Sequence, residues 1–157
     1  SALLLAFQTA EAKVAFFGDI MFSRGIKKVW GNEPEPCDVL NPFNAYFDPD
    51  LLKIANFENP AIGSKPKHNG HKTFNAPTRF LPCVKETFDL ISLANNHIMD
   101  QHEWGLRKTL ENLEFLDIPY VGVGTNLNEA WQYQVIGEFA VVSASYTCYN
   151  SDYFKEC

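Results

Sequence analysis

Two amides, an imidazole and a carboxylate follow one another in the run Asn95-Asn96-His97-Ile98-Met99-Asp100, directly after the apolar stretch Phe88 to Ala94. The amide oxygen of Asn96 can ligate a cation. His97 can give a proton to a leaving group, and Asp100 can orient its ring and raise its basicity. The same residues have plainer uses, Asn95 and Asn96 in turns and Asp100 as a helix cap. A second cluster, Glu58-Asn59, sits where the apolar run Leu51 to Phe57 stops; both side chains can offer oxygen to a metal, or simply open a polar loop before Pro60. A third, Gly18-Asp19, ends the run Lys13 to Phe17, and its carboxylate suits a hard or borderline cation or a helix cap. Singly, each has a structural explanation. At the ends of three successive strands of a parallel sheet they would converge, and Asp19, Glu58, Asn59, Asn96 and His97 are the expected constellation.

The elements needed to hold them in that way are legible. Lys13 to Phe17, Leu51 to Phe57, Phe88 to Ala94 and Pro119 to Val123 read as strands, the third apolar on both faces. Ile20 to Trp30, Arg79 to Thr87 and Asn126 to Trp131 read as short helices. Leu106, Leu110, Leu113 and Leu116 recur at helical spacing, and Asp100 with Glu103 has the spacing of a capping box. Tyr133 to Ile136 and Phe139 to Ser145 form two further strands joined tightly at Gly137-Glu138. Gly31 to Asp50 contains Pro34, Pro36, Pro42 and Pro49 and is expected to be mostly loop. Strands alternating with helices predict an α/β fold with a largely parallel sheet.

Glu58 to Thr78 is a long irregular segment, and such loops are usually functional or disordered. It carries Lys65, Lys67, His68, His71 and Lys72, with Arg79 just beyond. This positive charge either steers an anionic substrate toward the strand ends or is a solvated face. His68 and His71 have metal-ligand spacing, though histidines on such loops seldom bind metal. Gly122-x-Gly124 lacks the third glycine of a dinucleotide fingerprint.

The chain of 157 residues suits one domain or part of a larger one. A net charge of −6 argues against nucleic acid, which needs a basic face, but leaves room for an anionic substrate at a local basic loop. Cys37, Cys83, Cys148 and Cys157 lack C-x-x-C spacing, which disfavours a thiolate zinc site; buried thiols and disulfides both remain open. Residues 1–12 combine an apolar run with Ala10-Glu11-Ala12, which fits a signal-peptide remnant, a first strand or a cloning remnant; the first would mean export to the periplasm or cell surface.

The ordered set G-D-I-M, N-F-E-N-P, L-A-N-N-H-x-x-D, G-L-x-x-T-L-x-x-L and V-G-V-G-T-N-x-x-E-A resembles the CapA-type poly-γ-glutamate capsule synthesis family, similar to a branch of the calcineurin-like metallophosphoesterases. The resemblance spans Lys13 to Tyr146. It implies a layered αββα sandwich around two divalent metals (manganese, iron or zinc). On this basis Asp19 would ligate the first metal, Glu58 would bridge or ligate with Asn59 assisting, Asn96 would ligate the second, and His97 with Asp100 would act as proton donor. Asn95, Lys65, Lys67, His71 and Lys72 would contact substrate. It implies as partners an anionic polymer or phosphoester and capsule-synthesis membrane proteins. Two departures stand out. Met21 occupies the place of the superfamily's D-x-H histidine, and H-W-G and G-H-x-H motifs are absent. The chain therefore reads as the N-terminal part of such a domain over 13–157, with weak metal binding and an exposed sheet edge that favours self-association. A metal-dependent hydrolase is one expectation; a polymer-holding or export component and an inactive half-domain are the others. A G-D-S-L serine hydrolase fits poorly, because Ile20 stands where its nucleophile would be.

Overall fold

The computed structural model describes residues 13–63 and 73–145. Residues 1–12, and the loop residues Lys65, Lys67, His68, His71 and Lys72, lie outside the described residues, as do Cys148 and Cys157.

Four strands, β1 (Val14–Ile20), β2 (Leu52–Phe57), β3 (Leu90–Ser92) and β4 (Tyr120–Val121), form a sheet in sequence order. All three pairings are parallel. Side chains alternate across the sheet. One face sends Ala55, Phe57, Ile91 and Leu93 into the main core. There they meet Leu81 and Val84 of α3 (Leu81–Thr87) and Leu106, Leu110 and Leu113 of α4 (His102–Phe115). Ile26 and Trp30 of α1 (Arg24–Trp30) pack against the same cluster. The other face sends Ile54, Leu90 and Val121 into a smaller cluster with Ile136 and Val141. These last belong to the antiparallel hairpin β5 (Gln134–Ile136) and β6 (Phe139–Val141), which turns at Gly137 with φ 58°. The α/β fold with a parallel sheet is as expected. No described helix is long and apolar enough to cross a membrane.

Two expectations are corrected. The stretch Gly31 to Asp50 is not mostly loop. It holds a 3-10 turn at Pro36–Leu40 and helix α2 (Asn41–Tyr46), each with a proline in its first positions. Proline is tolerated there, because the first N–H groups of a helix have no partner in any case. Phe43 of α2 and Phe47 just after it close around Phe17, with ring centroids 4.8 and 4.9 Å away. A disulfide joins Cys37 to Cys83 and ties this excursion to α3. The second correction is the capping box. Helix α4 starts after Gln101 with no side-chain cap, and the Asp100 carboxylate turns inward instead.

Candidate functional site

The parallel, sequential sheet places the carboxyl ends of β1, β2 and β3 side by side. Asp19 pairs with Asn56, Asn56 with Ser92, and Ser92 with Val121, so one row crosses all four strands. Asp19 reaches that row because β1 has a bulge. Phe16 pairs with Ile54 and Asp19 with Asn56, three residues on one strand against two on the other. Bulges re-aim side chains in this way next to sites.

An amide chain runs along the strand ends. Asn56 Nδ2 donates to Asp19 Oδ1 over 2.7 Å, and Asn95 Nδ2 donates to Asn56 Oδ1 over 3.0 Å. Asn95 Oδ1 accepts from the backbone N–H of His97 and of Ile98, at 3.0 and 2.9 Å. Asn95 is thus the buckle of the turn that presents His97. The closing wall is Gly122, whose φ of 83° suits glycine, and where a Cβ would stand 2.8 Å from Ala94 Cβ. That close approach, not a nucleotide, accounts for the glycine.

His97 lies at the centre of a second chain. Its Nδ1 is 2.9 Å from Asp100 Oδ2, and the Asp100 side chain is wholly buried. A carboxylate only accepts, so Nδ1 carries the proton and the Nε2 lone pair faces outward. Nε2 stands 4.0 Å from Glu58 Oε1, an ion-pair separation rather than a hydrogen bond. Asp100 Oδ2 also accepts from the backbone N–H of Phe74, and the Phe74 ring stacks on the imidazole with centroids 4.0 Å apart. Phe74 reaches this place because the bases of the long loop are clamped: Ala61 bridges Ala76, and Ala76 N–H donates to Pro60 O over 2.8 Å.

Asn59 is fully buried, and its Oδ1 accepts from the backbone N–H of Phe22 over 2.9 Å and from Ser23 Oγ over 3.4 Å. It holds the chain leaving β1. Asn59→Ala should strand the buried Phe22 N–H and lower stability by about 1–3 kcal/mol, read as a lower urea midpoint at unchanged slope. An unchanged midpoint would mean that the amide is not the anchor. Asn96 is half-buried and makes no hydrogen bond among the described residues, so its amide stays available. Arg79 is otherwise engaged, donating to Gly31 O and Glu33 O.

Asp19, Glu58, Asn96, His97 and Asp100 therefore come together at the strand ends, with Asn59 and Asn95 as props beside them. Among the described residues, no three His, Cys, Asp or Glu side chains assemble as a metal cage. Asp19 and Asn95 are already bonded to Asn56. By themselves these residues do not fit a two-metal centre.

Asn56, Phe74 and Arg24 are absent from the sequence reading of the site. Asn56 carried a signal, a polar residue at an otherwise apolar strand position. Phe74 carried none, because it is brought in by the loop. Arg24 Cζ lies 4.4 Å from the centroid of the Phe74 ring.

A cavity of about 420 Å³ lies elsewhere, between α4, β4 and the short helix α5 (Leu127–Ala130). It is lined by Glu111, Glu114, Tyr120 and Glu129 among others; Asp19, Glu58, Asn96, His97 and Asp100 take no part in it. Burial and then the Glu114 hydrogen bond push the Tyr120 phenol up to about 12. Hydrogen bonds from Thr125 hold Glu129 below the usual carboxylate range.

An α/β domain with polar residues gathered at the carboxyl ends of a parallel sheet is the structural class. The chain belongs to the family of the bacterial capsule synthesis protein PGA_cap, whose family model matches residues 13–156. It is 28% identical over 148 residues to the capsule biosynthesis protein CapA of Bacillus anthracis, covering 89% of this chain and 36% of that protein. It is 27% identical over 140 residues to the PGA biosynthesis protein CapA of Bacillus subtilis (strain 168), covering 85% of this chain and 36% of that protein. The chain thus spans about a third of the length of these relatives.

Proposed function

We propose that this chain forms the proton-handling wall of a poly-γ-glutamate capsule protein, and that its reaction is hydrolysis of a γ-glutamyl amide or a phosphoester. The observation that carries the reading is His97 held at Nδ1 by the buried Asp100 carboxylate, with Nε2 turned toward Glu58. Fixing one ring nitrogen gives the other a defined position and role, as donor to a leaving group or acceptor from water. Glu58 is placed to stabilise the ring when it is charged. A single manganese, iron or zinc ion would be held only weakly, by Asp19, Glu58 and Asn96. The disulfide supports export, since such bonds persist in oxidising compartments.

A second reading is a component that holds or exports polymer without cleaving it. The lack of a three-ligand cage among the described residues favours it. The two separate in one experiment, with poly-γ-glutamate and p-nitrophenyl phosphate supplied to the full-length protein with and without added manganese. The hydrolase reading expects turnover, reduced at least ~100-fold by His97→Ala. Polymer binding without turnover in the wild type establishes the second reading and ends the first.

A further inference from the structure

The sequence has three arginines, and two have their donors engaged. Arg79 holds backbone carbonyls and Arg107 pairs with Glu103. Arg24 is exposed and makes no hydrogen bond or ion pair among the described residues. Its guanidinium lies over the Phe74 ring, which also stacks on His97. Two groups this near one centroid take opposite faces of the ring, so Arg24, Phe74 and His97 form a three-layer stack. A guanidinium lying on an aromatic face keeps its N–H edge free for an oxyanion. The position is held against backbone preference, since Arg24 has φ 50°. The two residues before it are anchored: Phe22 and Ser23 bond to buried Asn59, and Asn75 N–H donates to Ser23 Oγ over 3.0 Å.

Lys27 and Lys28 follow at helical spacing on α1, both exposed and both without an ion pair among the described residues. Ile26 and Trp30 face the core, so the basic residues take the outer side. A cationic track therefore leads along α1 to the ring that covers His97, although the chain as a whole is acidic.

We propose that Arg24 is the oxyanion-holding residue of the His97 site and that Lys27 and Lys28 extend it into a track for a polymeric anion. This rests on the reading above and adds the residues that would hold the carboxylates of its polymer. Arg24 grips a carboxylate across the Phe74 ring from the reacting group; the lysines hold the next ones along the chain.

The test measures binding to the full-length protein of two probes, poly-γ-glutamate and inorganic phosphate, at low and high salt. Arg24→Gln should weaken both by at least ~10-fold and flatten the salt dependence, and Arg24→Lys should restore part of the loss. Lys27→Gln with Lys28→Gln should weaken the polymer by several-fold and leave phosphate unchanged. Melting curves confirm that each variant folds. Polymer affinity and salt dependence unchanged in Arg24→Gln would overturn the proposal, as would a wild type that binds neither probe. If Arg24 only props Phe74, the His97 ring signals in NMR move while both affinities hold, and the proposal fails. Because the readout is binding, absence of turnover counts against the hydrolase reading alone.

Discussion

Asp100→Asn should lower turnover by about 10²- to 10⁴-fold while polymer affinity stays within about threefold of wild type. Asp100 Oδ2 accepts from two donors, the Phe74 N–H and His97 Nδ1. One asparagine oxygen can serve both, so the substitution preserves the stack and removes the charge. When Nε2 takes up a proton, the imidazolium then has no buried counter-ion on its Nδ1 side. The variant also buries an amide N–H₂ where Asp100 Oδ1 sits without a partner, at a cost of about 1–3 kcal/mol. Folding must therefore be checked by thermal melting before rates are compared. Asp100→Ala is the harsher variant, because it strands both donors and frees Phe74. Wild-type turnover in a folded Asp100→Asn would remove the relay from the mechanism.

Replacing Cys37 and Cys83 by serine should destabilise the domain by about 4 kcal/mol. The bridge closes a separation of 46 residues, and the loss of that constraint on the unfolded chain sets the size. For a chain of this length the melting temperature should fall by roughly 10 °C. A reductant should reproduce the shift in the wild type and have little effect on the double variant. Thiol counting in denaturant, with and without reductant, shows whether a bridge is present, and mapping of the labelled cysteines shows whether it joins Cys37 to Cys83. A folded protein whose Cys37 and Cys83 react fully without reductant would dismiss the bridge. The effect should fall on structure and not on chemistry, because the bridge ties Pro36–Leu40 to α3, away from His97.

The sequence by itself determined the order of the strands and of most helices, the parallel sheet, and the presence of polar residues at three strand ends. Those features are local. Apolar runs bounded by glycine or proline report strands, and leucines at helical spacing report α4, whatever lies elsewhere in the chain. The presence of Asp19, Glu58 and His97 at one edge also followed, because parallel strands end on the same side. Proline misled the local reading over Gly31 to Asp50, since a proline that breaks a helix interior also suits a first turn. Tertiary structure alone decided the rest. Which way Asp100 turns depends on Phe74 N–H, a donor 26 positions away. The partner of Cys37 depends on how the Pro36–Leu40 turn folds back on α3. Arg24 acquires its place only when a long loop returns Phe74 to the top of His97. Each of these is a contact between residues far apart in sequence, and no periodicity or local preference encodes it. The strand ends could be read from the chain; the stack and the relay exist only once it has closed on itself.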